Sequence, residues 1–210
     1  PEKLHQLVID GLPSDFPPVK SLCTRPNNLP LQLTSFVGRE REMAEAKRLL
    51  SESRLVTVTG PGGTGKTRLS LQVAADLLDD FQDGVWLVEL APLSDPALVP
   101  QAAATALRVR EQPGRALVDT LTDHLRAKSM LLILDNCEHV VDASAQLVTA
   151  LLTSSPGLKV LTSSREALGV AGETAYRLAS LSLPGASGPL AVDNVLESEA
   201  ARLFVERAQA

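Results

Sequence analysis

The sequence predicts an α/β fold in which a parallel sheet of about five strands has helices on both faces. Two observations lead to this prediction. Strand-like and helix-like segments alternate from Val37 onward, and the strand-like segments are continuously apolar or β-branched, which is typical of strands buried on both sides. Apolar residues make up 44% of the 210 residues and aromatic residues only 3%. The chain can therefore bury a core, and that core is aliphatic.

The strands are recognised by short runs of aliphatic or β-branched residues. Leu55–Thr59 is β-branched, and Met130–Leu134 is apolar throughout, as expected for a fully buried strand. In chain order, the predicted strands are Leu55–Thr59, Val85–Leu90, Met130–Leu134, Leu158–Thr162 and a strand around Thr174–Leu178.

The helices fill the intervals between the strands, because apolar residues recur there with helical spacing. In the helix that begins at Lys66, for example, Leu69, Val73 and Leu77 lie on one side. The predicted helices are Glu40–Ser51, Lys66–Asp80, Pro96–Leu107, Arg115–Lys128 and Val140–Thr153.

Two further segments flank this core. Residues 1–36 are rich in proline, which disfavours helix, so we predict a short strand at Leu4–Ile9 followed by an extended linker. Residues 184–195 form a second connector ahead of a helix at Glu197–Gln209, whose apolar stripe has no partner of its own. The predicted organisation is a tail and linker (1–36), an α/β core (37–183), and a linker with the first helix of a truncated helical subdomain (184–210).

Composition and charge exclude several classes of function. The 20 Lys and Arg against 25 Asp and Glu give a net charge of −5, which argues against direct nucleic-acid binding by these residues. No apolar run approaches the roughly 18–20 residues of a membrane span, so we expect a soluble protein. Cys23 and Cys137 lack metal-ligand spacing and suit reduced thiols in the cytoplasm. Because the chain starts at Pro1 and stops inside an amphipathic pattern, we expect a piece of a longer polypeptide.

The strongest motif follows the first predicted strand and opens the next helix. Gly60-Pro61-Gly62-Gly63-Thr64-Gly65-Lys66-Thr67 fits the pattern G-x-x-x-x-G-K-[ST] of a phosphate-binding loop, the P-loop or Walker A motif. The glycines let backbone N–H groups surround phosphate oxygens at a helix N-terminus. Lys66 is then expected to reach the β- and γ-phosphates, and the Thr67 hydroxyl to ligate Mg²⁺. Arg68, the next residue, is added to the candidate nucleotide-binding residues.

A second motif supplies a carboxylate. The apolar run Leu131–Leu134 ends in Asp135, as a Walker B strand does, and a carboxylate there lies beside the phosphate loop and can hold Mg²⁺. The alternative, a helix N-cap at Asp135 or Asn136, stays open. Glu138 and Glu89 are both candidates to orient the attacking water, and each can equally be a cap or a solvated charge. We therefore expect slow hydrolysis.

Two weaker motifs complete the set. The run Thr162-Ser163-Ser164-Arg165 follows another strand, where Arg165 can sense a γ-phosphate because the strand ends converge on one crevice. Val37-Gly38-Arg39-Glu40 lies just before the first predicted helix and by itself indicates only a turn and a helix start.

In this order the four motifs resemble the nucleotide-binding domain of the STAND signal-transduction ATPases, relatives of the NB-ARC and AAA+ groups. The resemblance spans roughly residues 29–183 and is strongest to bacterial regulators that carry this domain ahead of helical repeats and, often, a LuxR-type DNA-binding module. It implies that Val37 and Arg39 contact adenine, that Arg165 senses the γ-phosphate, and that the helix at Glu197–Gln209 begins a nucleotide-covering lid. Residues 1–7 resemble the tail of a class III nucleotide cyclase domain.

The resulting hypothesis is a switch that binds ATP or ADP with Mg²⁺ and is read by other domains of the same polypeptide, with a nucleotide-dependent oligomer as a further expectation. A GTPase is disfavoured because no [NT]-K-x-D motif is present. A small-molecule kinase lacks an identifiable acceptor pocket, and residues before the linker are too few for a cyclase core. A non-hydrolysing P-loop module for protein interaction remains the alternative.

Overall fold

The computed structural model describes residues 25–32, 36–183 and 198–209, and its elements follow the predicted alternation. The predicted strand at Leu4–Ile9, the cyclase-like tail and the whole of the second connector (184–195) lie outside the described residues. The helices are α1 (Glu40–Glu52), α2 (Lys66–Asp76), α3 (Val99–Ala106), α4 (Leu117–Leu125), α5 (Val141–Ser154) and α6 (Glu199–Gln209). The strands are β1 (Leu55–Thr59), β2 (Val85–Glu89), β3 (Met130–Asp135), β4 (Leu158–Ser164) and β5 (Glu173–Arg177), with short 3₁₀ turns at Leu78–Asp80, Pro96–Leu98 and Cys137–His139.

The five strands form one parallel sheet in the order β2-β3-β4-β1-β5, which confirms the predicted fold class. Strand β1, which precedes the phosphate loop, pairs with β4 on one side and β5 on the other. The carboxyl ends of β1, β3 and β4 therefore meet at one edge of the sheet, where ligands of open α/β sheets bind.

Two aliphatic layers hold helices on both faces of the sheet. Along β3, Leu132 and Leu134 pack with α3, α4 and α5, whereas Leu131 and Ile133 pack with α1 and α2. This alternation follows from the two-residue period of a strand, and it requires apolar residues at every position. The continuous apolar run that predicted a buried strand is explained by this two-sided packing.

Three predicted helices are shorter in the structure than in the sequence pattern, and the one predicted at Arg115–Lys128 spans Leu117–Leu125. The helix from Lys66 ends at Asp76 and is followed by a 3₁₀ turn. The predicted helix from Pro96 begins as a 3₁₀ turn in which the Asp95 carboxylate accepts a hydrogen bond from the N–H of Ala97 at 2.9 Å. These local turns satisfy backbone groups at helix ends without lengthening the helices.

A short N-terminal segment pairs with the outer edge of β2. The side-chain amide of Asn28 donates to the carbonyl of Leu87 at 2.8 Å and accepts from the Leu87 N–H at 2.6 Å. The N–H of Val85 donates to the carbonyl of Pro26 at 3.1 Å. Side chain and backbone together thus satisfy polar groups that an edge strand would otherwise expose.

Candidate functional site

The loop between β1 and α2 adopts a conformation that depends on glycine. Gly60, Gly63 and Gly65 have positive φ angles of 152°, 78° and 90°, which side chains rarely tolerate. At Gly60 a Cβ would also lie 3.0 Å from the carbonyl oxygen of Leu178. The loop leads directly into the N-terminus of α2, so its backbone N–H groups and the helix dipole are available to an anion.

The side chain of Lys66 is buried inside this loop. Its ammonium donates to the carbonyl oxygens of Gly60 at 2.8 Å and Pro61 at 2.9 Å. A buried ammonium held by two carbonyls places a full positive charge at the centre of the loop. This is the position from which a P-loop lysine reaches phosphate oxygens.

A network of three side chains joins α2, β3 and β4 beside the loop. One carboxylate oxygen of Asp135, Oδ1, accepts hydrogen bonds from the hydroxyls of Thr67, at 2.8 Å, and Ser163. The Ser163 hydroxyl in turn accepts from the N–H of Asn136 at 2.9 Å. Asp135 is the last residue of β3. Asn136 occupies the N-cap position of the following 3₁₀ turn, but its side chain makes no capping hydrogen bond. Asp135 is thus oriented toward the phosphate loop rather than used as a helix cap.

The chemistry of this network fits Mg²⁺. The ion prefers hard oxygen ligands and is usually bound through one or two carboxylates together with substrate phosphates. The Thr67 hydroxyl and the Asp135 carboxylate are such oxygens, and their 2.8 Å hydrogen bond shows that both reach the same point. The described part of the chain has no cluster of three or more His, Cys, Asp or Glu side chains that could hold a metal.

The turn at Gly38 and Arg39 contacts the phosphate loop. Arg39 is a non-glycine residue with a positive φ of 69°, and only 4% of its surface is exposed. Its guanidinium forms an ion pair with Glu42 at 2.8 Å and donates to the carbonyl of Thr64 at 3.1 Å. The predicted base-contacting turn and the phosphate loop are therefore held together.

A cleft of about 570 Å³ opens between the phosphate loop, this turn and α6. The volume lies in the range of small-molecule sites. Phe36 and two leucines of the segment after β5 also line it. Its lining includes the sequence-predicted residues Val37, Arg39, Pro61, Gly62, Gly63, Thr64, Gly65 and Arg68, together with Ala200 and Leu203 of α6.

The two predicted water-orienting residues lie in different places. Glu138 pairs with Arg165, with 3.3 Å between the Glu138 Oε1 and Arg165 Nε atoms. With its amide nitrogen facing Glu138, Asn136 donates to both carboxylate oxygens at 3.2 and 3.3 Å. Glu89 ends the strand β2, in register with Asp135 and three strands away from β1. The structure thus brings Glu138 and Arg165 together and leaves Glu89 farther from the loop.

Three residues that contact and position the predicted site residues were not assigned from the sequence. Ser163 lies in a motif that the sequence singled out, but the assignment went to Arg165. Glu42 is three residues from Arg39, a spacing that predicts contact on a helix. Glu199 accepts a hydrogen bond from the Arg39 N–H across 160 positions of sequence, and no local pattern indicates such a pair.

The thiol of Cys137, next to Asp135 and Asn136, is a poor nucleophile. Cys137 is fully buried, and the loss of hydration raises the pKa of its thiol to about 12. A thiol with this pKa is almost entirely protonated at neutral pH, so it is a poor nucleophile.

A parallel five-stranded sheet with a glycine-rich phosphate loop after its fourth strand in spatial order defines a P-loop nucleotide-binding fold. The family described as an AAA domain matches residues 48–164, and the chain belongs to this family. Such a fold implies that a nucleotide binds, typically with Mg²⁺. Cdc6p from Pyrobaculum aerophilum is a structural neighbour with a TM-score of 0.54 and 16% identity, covering 90% of this chain and 52% of that one.

Two mycobacterial relatives are closer in sequence. An uncharacterized protein of Mycobacterium tuberculosis is 43% identical over 177 residues, which is 84% of this chain and 42% of the relative. A protein of the same organism named as an HTH-type transcriptional regulator is 41% identical over 162 residues, which is 77% of this chain and 17% of the relative. The chain thus spans less than half the length of these relatives. Across the described ranges, none of the helices combines the length and apolarity that a membrane crossing requires.

Proposed function

We propose that this chain is the ATP- and ADP-binding switch domain of a larger regulatory protein of the STAND class, related to NB-ARC domains, with slow Mg²⁺-dependent ATP hydrolysis. The observation that carries the proposal is the hydrogen-bond network of Thr67, Asp135 and Ser163 next to the loop that buries Lys66. It supplies the positive charge and the hard oxygen ligands that a Mg²⁺-bound triphosphate requires.

Selectivity for adenine is assigned to the turn before α1. Val37 and Arg39 line the cleft together with the phosphate loop, so a base can lie against the turn while its phosphates occupy the loop. The guanidinium of Arg39 is already engaged by Glu42 and the Thr64 carbonyl. It holds the turn in place, and the backbone around Val37 is left to recognise the base.

The switch works through the γ-phosphate, the one group that distinguishes ATP from ADP. A ligand shifts a conformational equilibrium only by its differential affinity for the two states. Lys66, Arg165 and the Mg²⁺ held by Thr67 and Asp135 supply that difference in this proposal. Arg165 is 68% exposed and pairs with Glu138 through a single 3.3 Å contact, so it can exchange this partner for a phosphate at little cost.

Hydrolysis is expected to be slow because the acidic residues are poorly placed to orient water. Glu138 is held by Asn136 and Arg165, and Glu89 ends a strand three positions from β1. If Arg165 moves to the γ-phosphate, Glu138 becomes available, which makes it the better of the two candidates for that role.

Two features of the relatives support a regulatory role for the whole protein. They are longer than this chain, and one is named as a transcriptional regulator. We infer that the partners of this domain are other domains of its own polypeptide: a helical lid, a DNA-binding module and, from the tail resemblance, a cyclase domain. A nucleotide-dependent oligomer and a cytoplasmic location belong to the same proposal.

Calorimetry with ATP, ADP and GTP in the presence of Mg²⁺ tests the proposal, with phosphate release followed in parallel. The variant is Lys66→Ala, and the matched control is Lys128→Ala, a lysine in the turn between α4 and β3 and not in the phosphate loop. We expect adenine-selective binding that is lost in Lys66→Ala and kept in Lys128→Ala, with slow turnover. Equal binding by the wild type and Lys66→Ala would refute the assignment of the site.

The second candidate function is a P-loop module that binds nucleotide without hydrolysing it and serves protein interaction. The contacts that occupy Glu138 favour it. Phosphate release separates the two functions, because the module is expected to show the same Lys66-dependent binding with no turnover above the Lys66→Ala background.

A further inference from the structure

The carboxylate of Glu199 joins α6 to the segment before α1. Its Oε1 atom accepts a hydrogen bond from the N–H of Arg39 at 3.2 Å, and its Oε2 atom accepts one from the N–H of Ser182 at 3.1 Å. The Ser182 hydroxyl accepts from the N–H of Glu199 at 3.0 Å, so the first turn of α6 is capped reciprocally. One side chain therefore links the start of α6 to two separate stretches of backbone.

The chain of contacts continues into the phosphate loop. The same Arg39 whose N–H binds Glu199 donates through its guanidinium to the carbonyl of Thr64. Gly38 permits this close approach, since a Cβ there would lie 3.0 Å from the Glu199 Oε1 atom. Only one residue, Arg39, separates the phosphate loop from the carboxylate that docks α6.

We propose that Glu199 is a positioning residue that couples the conformation of the phosphate loop to the docking of α6, so that nucleotide binding at the loop is transmitted to whatever follows this helix. The proposal rests on the proposed function, because it takes the nucleotide as the input. Glu199 contacts the protein and not the nucleotide, and it acts through Arg39.

The physical argument depends on hydrogen-bond satisfaction. The two N–H donors bind different oxygens of the Glu199 carboxylate, whereas in a glutamine one of these two positions is an NH₂ group, a donor that would face one of the N–H groups. When a bound phosphate changes the backbone at Thr64, the buried Arg39 must move with it, because its guanidinium binds the Thr64 carbonyl. The position of Arg39 then decides whether its N–H still reaches the Glu199 carboxylate. Coupling between sites requires that such a network switch between discrete arrangements, and in this proposal the Arg39–Glu199 hydrogen bond is made in one and broken in the other.

Two other observations agree with this coupling. Ala200 and Leu203 of α6 line the same cleft as the phosphate loop, so displacement of the helix changes the cleft, and the coupling is reciprocal as linkage requires. The donated hydrogen bond from Ser182, followed by that from Arg39, holds the pKa of Glu199 below its ordinary value. The acceptor is therefore fully charged at neutral pH.

Hydrogen exchange of the α6 amides, measured without nucleotide, with Mg²⁺ and ADP, and with Mg²⁺ and a non-hydrolysable ATP analogue, tests the proposal. The variants are Glu199→Ala and Glu199→Gln, and the matched control is Glu206→Ala, a glutamate farther along the same helix. Nucleotide affinity is measured by calorimetry on each protein. In wild type and control we expect the exchange of α6 to differ between the ADP and ATP-analogue states.

In Glu199→Ala we expect α6 to exchange about 10-fold faster in every state, with no remaining difference between nucleotides, while nucleotide still binds. Glu199→Gln, which keeps one carbonyl acceptor, should lie between wild type and Ala. The inference is overturned if the nucleotide-dependent difference persists in Glu199→Ala, or if α6 of the wild type does not respond to bound nucleotide. In both cases the proposed binding of nucleotide to the phosphate loop is retained. Loss of binding in the wild type would instead refute the proposed function, and the coupling with it.

Discussion

The hydroxyl of Ser163 supports the metal side of the site without being a candidate ligand, so Ser163→Ala tests the arrangement directly. This hydroxyl donates to Asp135 Oδ1 and accepts the N–H of Asn136. The variant removes both bonds and leaves Thr67 as the one remaining hydrogen-bond partner of the Asp135 carboxylate among the described residues. The change in volume is one oxygen atom, so the surrounding packing is kept.

Two magnitudes follow from these contacts. Loss of a hydrogen-bond partner that orients a metal-binding side chain typically lowers metal affinity ~10–100-fold. The Asn136 N–H, left without its acceptor in a partly buried position, adds a destabilisation of about 1 kcal/mol, the low end of the range for buried donors. We therefore expect ATP binding to require a higher Mg²⁺ concentration in the variant than in the wild type. The free energy of unfolding should fall moderately.

The assay is a Mg²⁺ titration of ATP binding, with urea unfolding measured on the same protein. Ser70→Ala is the matched control, because Ser70 is also a buried serine, but its hydroxyl has no hydrogen-bond partner among the described residues. Removal of that hydroxyl should leave Mg²⁺ affinity unchanged and stability unchanged or raised.

The reasoning fails if Ser163→Ala, like the control Ser70→Ala, binds ATP at the same Mg²⁺ concentrations as the wild type. Asp135 would then be oriented by other contacts. Equal losses in both variants would show that any buried hydroxyl is needed for folding and that Ser163 has no special relation to the metal.

Three further outcomes are expected. Asn28→Ala removes two hydrogen bonds to Leu87 and should lower the free energy of unfolding by about 1–2 kcal/mol in urea titrations; an unchanged midpoint would mean that water replaces the amide fully. In Cys23→Ser, the thiol of Cys137 should resist a disulfide reagent at pH 8 until denaturant is added, because burial raises its pKa to about 12; fast native labelling would contradict this. The folded-state pKa of Glu199 is lowered, so its ionised form stabilises the fold above the unfolded pKa, and this contribution is lost as pH falls through the folded pKa. Protection of α6 from hydrogen exchange should thus persist from neutral pH down to the unfolded pKa and decline only at more acidic pH; a decline that begins at neutral pH would contradict this.

Hydrophobic patterning predicted the sheet, since strands buried on both faces have a composition that few other elements share. It was less successful at the ends of strands. Strand β4 continues to Ser164, two residues beyond its predicted end, because Ser163 and Ser164 are buried and pair with Val58 and Thr59 of β1. Polar residues at a functional strand end interrupt the apolar pattern although the backbone continues in the strand.

The phosphate loop and Asp135 could be found from sequence because their spacing is local. Contacts between segments that are distant in the sequence could not be predicted in this way. The bond between Glu199 and Arg39 joins residues 160 positions apart, and the pairing of Glu138 with Arg165 depends on how two loops pack. Such pairs are set by the tertiary arrangement of elements, which composition and periodicity do not specify.

The edge pairing of Asn28 with β2 also fixes where the chain enters the domain. The segment through Pro26 and Asn28 is attached at one edge of the sheet, whereas β5, which leads on to Ser182 and α6, forms the opposite edge. Four strand spacings of about 4.8 Å put roughly 19 Å between these edges. The sheet therefore serves as a spacer: residues 26–28 are anchored at one edge, and the strand that leads on to Ser182 forms the other. Under the proposed coupling, a nucleotide-driven movement of α6 would leave the anchorage of residues 26–28 on β2 in place.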